Sequence, residues 1–300
     1  ITDFKLLIHH IKLLKDIKPD IVLTYTIKPN LYGGIACSKH RIPYLSNVTG
    51  LGSAENMTCI VKAIIKRLYK LGLKNSDCIF YQNEDGLKKV NSILNRKDRY
   101  KLIPGSGVNT SHFHLQEYPS AKEINFLYIS RIMKEKGIDQ YLKAAEAIKK
   151  KYRNVNFHIL GFCEEAYEDI LKEYEEQGVI QYHGIQNDVR EFHKFSHCTI
   201  HPTYYAEGLS NVLLESASSG RPVITTDRFG TRETVADGVS GFLFTERDTR
   251  GLVEKIEKFL SLTNEQRKEM GIQGRIKVVN EFERQIVVNE YLKEIRNVLN

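Results

Sequence analysis

Cysteine is scarce and unpatterned. Five occur in 300 residues (Cys37, Cys59, Cys78, Cys163 and Cys198), an odd number with no C-x-x-C pair. That excludes a disulfide framework and fits reduced thiols in a cytosolic protein. No apolar run reaches the roughly 20 residues that cross a bilayer, and no secretory leader is evident. Low-complexity tracts and short-period repeats are absent, which argues against a solenoid or a disordered linker. Basic residues are dispersed and accompany no nucleic-acid-binding motif, so nucleic acid is not the expected partner. The chain opens at Ile1 in what reads as the middle of a helix. A further N-terminal piece, with any targeting signal it carries, is therefore expected upstream.

What is present is length, positive charge and alternation. Three hundred residues suit two lobes with sizeable cores. A formal net charge of +7 and a pI near 9.0 suggest an anionic partner, such as an acidic membrane face or a phosphate-bearing small molecule. Short runs rich in Ile, Val, Tyr and Phe predict strands at Asp20 to Ile27, Cys78 to Asn83, Tyr100 to Pro104, Ile124 to Ser130, Val155 to Gly161, Val179 to Gly184, Cys198 to Thr203, Arg221 to Thr226 and Gly241 to Phe244. A shorter one is expected at Pro43 to Ser46. Amphipathic stretches such as Lys136 to Lys150 and Glu164 to Gln177 lie between them. Strand and helix in alternation predict an α/β protein with parallel sheets covered on both faces. The polar stretch Ile103 to Glu123 marks a boundary. The expected organisation is residues 1–105 as a first, incomplete Rossmann-like domain, 106–278 as a second, and 279–300 as one long helix returning toward the first.

Ligands of open parallel sheets bind beyond the carboxyl ends of the strands. After the strand at Cys198 comes "YYAEGLSNVLLESAS". Gly208 reads as the turn into a helix whose first amides, at Ser210, Asn211 and their neighbours, present N–H groups suited to phosphate. Glu207, Asn211 and Glu215 recur every four residues and read as one helix face, with Leu209, Val212, Leu213 and Ala217 opposite. A phosphate flanked by two hydroxyl-reading acids describes a nucleotide sugar. Spacing alone is served as well by a capping Glu207 and a solvated Glu215. Arg131 and Lys136, after the strand at Ile124, offer two cations to a diphosphate, though a solvated basic turn would look the same.

Taken in order, "IPGSGVN", "SRIMKEKGID", "HILG", "HPTYYAEGLSNVLLESASSGRPVITT" and "GTRETVADGVSGFLF" resemble the nucleotide-sugar domain of retaining GT-B glycosyltransferases of family 4. "KPDIVLTYTIKPNLYGGIA" and "IPYLSNVTGLGS" resemble the branch that builds capsule, O-antigen or glycoprotein glycans on a polyprenyl carrier. The resemblance covers nearly the whole chain. It implies two Rossmann-like doubly wound domains, with the first strand and Gly-rich loop of the first lying before Ile1. In the family's E-x7-E motif, Glu207 would meet hydroxyls of the donor sugar and Glu215 would hold the ribose. Arg131 and Lys136 would bind the diphosphate, helped by amides around Gly208, Leu209, Ser210 and Asn211. Gly105 to Val108 would shape the interdomain crevice. No metal would be needed, because cations and helix dipoles stabilise the leaving diphosphate. Many relatives carry a His where Gly50 stands here, so Thr49 or the backbone of Gly50 to Gly52 is the expected substitute contact.

The implied reaction moves a sugar from a nucleotide-sugar donor, UDP-linked, to a lipid-linked saccharide acceptor. The enzyme would be cytoplasmic and peripheral on an anionic membrane surface. Rival readings are a nucleotide-sugar epimerase and a nucleotide-sugar-binding fragment without catalysis. A basic amphipathic helix is expected from Asn56 to Asn75, with Ile60, Val61, Ile64, Ile65, Leu68 and Leu71 as its apolar stripe. Lys62, Lys66, Arg67, Lys70 and Lys74 would rest on lipid headgroups, unless the helix simply packs on the sheet. His193, His197 and His201, four apart, are not expected to bind metal, because Pro202 and the apolar run before it place His201 in a strand. His112 and His114, in the linker, read as surface or packing residues.

Overall fold

Runs of two to six residues form the strands, and most are followed by a helix. The computed structural model describes residues 2–49, 59–96 and 98–300. The chain divides into two compact units, one of Ile1–Ser106, Ala206–Leu209 and Gln285–Asn300, the other of Gly107–Tyr205 and Ser210–Arg284.

In the first unit, β1 (Val22–Tyr25), β2 (Tyr44–Val48), β3 (Cys78–Tyr81) and β4 (Tyr100–Leu102) pair in parallel in that order. The weakly patterned stretch at Pro43 is thus a full strand. Helix α1 (Thr2–Ile17) precedes β1. A π-helical turn (Pro29–Gly33) runs into α2 (Gly34–His40), and α3 (Cys59–Leu73) and α4 (Glu84–Leu94) follow β2 and β3. Every residue of β2 and β3 is buried, the pattern of parallel strands covered on both faces. Val48, Ile79 and Tyr81 pack with Leu31, Tyr69, Leu73 and Val90. Leu45, Cys78 and Phe80 pack with Val287 and Tyr291 of the last helix, α11 (Arg284–Leu299). The Tyr291 ring lies 4.2 Å from that of Phe80, and its hydroxyl accepts from Asn47 Nδ2. Burial pushes the Cys37 and Cys78 thiols up to about 12, so both act as small apolar packers.

In the second unit, β5 (Ile124–Ile129), β6 (Val155–Leu160), β7 (Gln181–Tyr182), β8 (Cys198–His201), β9 (Val223–Thr226) and β10 (Gly241–Phe244) form a parallel sheet in the order β10-β9-β8-β5-β6-β7. Successive strands run outward from β5 one way and from β8 the other. The order therefore reverses between β5 and β8, where Phe126 faces Cys198 and Leu127 faces Thr199. This is the doubly wound topology with its switch point. Helices α5 (Ile138–Lys151), α6 (Glu168–Glu176), α7 (Arg190–Phe195), α8 (Asn211–Ser218), α9 (Thr249–Ser261) and α10 (Asn264–Glu281) complete it. Phe126, Tyr128, Tyr141, Phe157 and Phe259 form the aromatic centre of its core. The Phe126 and Phe157 rings stack at 5.2 Å. Tyr141 keeps its hydroxyl satisfied by donating to the carbonyls of Phe126 and His158.

Arg221 is the largest fully buried side chain. It meets no acid. It donates instead to the carbonyls of His193 (2.6 Å), Glu117 (2.6 Å), Lys194 (3.2 Å) and Gln116 (3.3 Å), tying the segment before β5 to α7. Burial draws its guanidinium down to about 10.

Two expected helices are corrected. Residues 164–167 do not join α6, because the amides of Glu164 and Glu165 turn to the Ile132 carbonyl (3.0 and 3.3 Å). The tail is two helices rather than one. Val108 N–H donates to Phe282 O (2.9 Å) and Arg284 N–H to Val108 O (3.0 Å). The linker thus takes the hydrogen bonds that would have carried α10 into α11.

Candidate active site

The loops that leave β5 and β8 flank the switch point, and both carry expected site residues. Arg131 follows β5, and Lys136 ends a 3-10 turn (Lys134–Lys136) that Gly137 closes in the left-handed region, φ +77°. Lys136 thus precedes α5 rather than opening it. Glu135 O accepts from Tyr204 N–H (2.9 Å) and from Thr203 Oγ1 (3.3 Å). A Cβ at Gly137 would stand 2.1 Å from Pro202 O. The two loops are knitted together by backbone, and only glycine fits the seam.

Tyr205 organises the cations. Lys136 Nζ lies 4.8 Å and Arg131 Cζ 5.4 Å from the centre of its ring. Lys136 is 8% exposed, an unusual depth for an ammonium. Arg131 also bonds Glu164 Oε2 at 2.6 Å. Lys134 stays exposed. Tyr205 was not singled out from the sequence. The "YY" before the glutamate was its only trace, and aromatic residues are common in this chain.

Helix α8 starts at Asn211, and its cap, Ser210, makes no side-chain bond to the first turn. Ser210 N–H is not available to a phosphate, because it donates to Gly230 O at 2.8 Å. Asn211 and Glu215 share a helix face. Glu207 does not belong to it, since residues 202–210 are not helical. Leu213 and Ala217 are buried as expected, Val212 only half so. Burial pushes the Glu215 carboxyl up to about 7, with Arg284 pulling the other way. Glu215 is half-buried rather than a fully solvated surface acid.

Glu207, Gly208 and Leu209 belong to the first unit. Gly208 is not a positive-φ glycine, as its role as a turn would suggest. Its need is space, for a Cβ there would sit 2.2 Å from Gln82 Oε1 and 2.4 Å from Thr49 O. Leu209 packs against Gly105, where a Cβ would meet it at 2.7 Å. Gly107 instead abuts Arg284 in the second unit. Gly50 to Gly52, expected near substrate, lie outside the described residues.

The histidine series divides. His193 is buried in α7, and burial beside Arg221 lowers it to about 3. His197 Nδ1 accepts from Asn125 N–H (3.1 Å) while Nε2 faces Ser120 O (3.0 Å), the pattern of a neutral ring. His201 is in β8. Among the described residues, no group of three or more His, Cys, Asp or Glu stands close enough to hold a metal ion.

The predicted helix around α3 needs one correction. Ile65, Leu68, Tyr69 and Leu73 face the core. Ile64 and Leu71, expected in the buried stripe, are 55% and 54% exposed. Gly72 explains this, since its carbonyl would lie 1.9 Å from a Cβ on Gly34. That backbone-to-backbone contact fixes the rotation of α3. Lys66, Arg67, Lys70 and Lys74 flank the two exposed aliphatics, while Ile60, Val61 and Lys62 have no described side chains. Among the described residues no helix is long and apolar enough to cross a membrane.

A doubly wound parallel sheet with paired cations at its switch point, together with a second parallel α/β unit, defines a GT-B glycosyltransferase. Residues 112–277 match the family model described as glycosyl transferases group 1, and residues 2–83 match that described as glycosyl transferase 4-like. The chain belongs to the group 1 glycosyl transferases and is a glycosyltransferase of the GT-B family 4 type. It is 24% identical over 299 residues to the N,N'-diacetylbacillosaminyl-diphospho-undecaprenol alpha-1,3-N-acetylgalactosaminyltransferase of Campylobacter jejuni, spanning 94% of this chain and 78% of that one. It is 27% identical over 317 residues to the capsular polysaccharide biosynthesis glycosyltransferase CapM of Staphylococcus aureus, spanning 98% and 82%. Its fold is that of HepE from Anabaena, crystallised with UDP, at a TM-score of 0.83 and 16% identity over 98% of this chain and 82% of that one.

Proposed function

We propose that this enzyme moves a sugar, with retention of anomeric configuration, from a UDP-sugar to a saccharide carried on a polyprenyl diphosphate, in the synthesis of a surface polysaccharide. The observation that carries the reading is the nearly buried Lys136 beside Arg131 and Tyr205 at the switch point. This is where an open parallel sheet receives its ligand, and two cations gathered on one aromatic ring there suit a diphosphate. The UDP in the HepE complex supports the donor class. The undecaprenol in the name of the Campylobacter relative supports the acceptor, and the name of CapM supports the pathway.

In this reading Lys136 and Arg131 neutralise the diphosphate, Arg131 sharing its charge with Glu164. The amides at the start of α8 add their dipole, with Ser210 excluded. Glu215 accepts from the ribose hydroxyls and Glu207 from the donor sugar. The departing phosphate takes the acceptor proton as the acceptor oxygen attacks from the same face, so neither acid becomes a nucleophile. Cations and dipoles carry the leaving-group charge, and the proposal involves no metal. The enzyme works at the membrane surface, resting on the basic edge of α3.

The test is turnover of UDP-sugars with polyprenyl-linked saccharides. Glu207→Ala is expected to lower kcat by roughly 100-fold while UDP binding persists. Glu215→Ala and Lys136→Ala are expected to weaken UDP binding about tenfold or more. Unchanged turnover in all three variants removes the assignment. A changed sugar nucleotide formed without acceptor would show an epimerase instead.

A further inference from the structure

We propose that Asn83 is a positioning residue for Glu207, acting through the main chain of the turn that carries it. Asn83 caps α4, its Oδ1 accepting from Gly86 N–H at 2.8 Å. Capping requires only an acceptor, and Ser, Thr or Asp supplies one equally well. Asparagine brings in addition an amide with two protons to donate. Here Nδ2 is directed at two consecutive carbonyls, Glu207 O (3.1 Å) and Gly208 O (2.6 Å). Asn83 is only 6% exposed, so water does not compete freely for these bonds.

The neighbours complete a cradle. Gln82 Oε1 and Thr49 O approach the Gly208 α-carbon so closely that no side chain fits there. Gln82 is itself steadied by donating Nε2 to Asn47 Oδ1 (3.3 Å). All of these residues belong to the first unit, as does the turn Ala206–Leu209. Two carbonyls fixed in succession fix the peptide planes on either side of the Gly208 α-carbon. They thereby anchor the peptide through which the Glu207 α-carbon joins the turn, and with it the point from which the Glu207 side chain departs. Helix α4 thus has a cap that also orients an acid remote in sequence. The inference deepens the reading above and rests on Glu207 meeting the donor sugar.

Asn83→Asp separates the two jobs. It keeps the acceptor for Gly86 and a good cap, but it removes both donors and sets a carboxylate against two carbonyl oxygens. In the full chain the expected result is a kcat lower by roughly 10- to 100-fold, the scale of a small misplacement of a reacting group. UDP affinity should fall by a smaller factor than kcat, since Lys136, Arg131 and Glu215, the side chains assigned to UDP, lie outside that turn. In a Glu207→Ala background the same change should lower kcat by less than about twofold, because a shared route makes the effects non-additive. Hydrogen exchange read on the peptide covering residues 204–212 should quicken in Asn83→Asp while α4 keeps its protection. Unchanged exchange in that peptide overturns the positioning role whatever Glu207 does. So does an equal loss of kcat with and without Glu207, or a kcat within twofold of the parent when Glu207→Ala is itself impaired. Faster exchange with full turnover in Glu207→Ala would leave the clamp standing and sink the role given to Glu207.

Discussion

Glu215 shows how the burial of one residue converts a sequence motif into chemistry. Its carboxyl is raised from an ordinary 4.5 to about 7 by desolvation, with Arg284 opposing. Folding therefore favours its protonated form. Its contribution to stability is complete below about pH 4.5 and is lost as the pH rises through 7. In the reading we propose, ligand binding runs the other way, because hydroxyls donate better to a carboxylate than to the neutral acid. UDP affinity is expected to rise between about pH 6 and 8, and Glu215→Gln should flatten that rise. Calorimetric titrations across this range provide the check, and an equal slope in the variant would contradict the role of Glu215. The sequence could supply the acid and its spacing but not its burial. The same holds for Tyr205, Asn83 and Arg221. Each takes its role from partners far along the chain, Asn83 from residues 207 and 208 and Arg221 from residues 116 to 117 and 193 to 194.

At the scale of elements, the strands were the most legible part. Interior parallel strands read as continuous apolar runs; each of the nine longer expected runs contains an observed strand, while the one at Pro43 to Ser46 extends on to Val48. Helix ends were less legible because backbone partners set them. Phe282 and Val108 break the tail, and Ile132 shortens α6. Helix α3 marks the limit of periodicity. Its apolar residues cover more than one arc, and the Gly34–Gly72 approach selects which arc turns inward. The outward arc keeps Ile64 and Leu71 among Lys66, Arg67 and Lys70, the chemistry of an interfacial helix. Replacing Lys66, Arg67 and Lys70 by Gln should weaken binding to vesicles containing phosphatidylserine by about 1 kcal/mol per charge. Sedimentation with such vesicles measures this. Equal binding by the variant and the parent would remove α3 from the membrane surface.

For the molecule as a whole, the strand order of the second unit decides where chemistry can occur. Alternation of strand and helix announced parallel sheets, but not which strands would be neighbours. The reversal between β5 and β8 brings together two loops about 70 residues apart in sequence, joined by bonds between residues 135 and 203–204. The sequence placed cations in one loop and the amide-bearing turn in the other. Topology is what sets the two loops side by side, and the diphosphate receptor we propose rests on that adjacency. A crystal structure with an intact UDP-sugar tests this most directly. The diphosphate is expected at Lys136 Nζ, with the ribose hydroxyls within hydrogen-bond reach of the Glu215 carboxylate. A nucleotide bound away from the β5 and β8 loops, with Lys136 and Glu215 untouched, would contradict it.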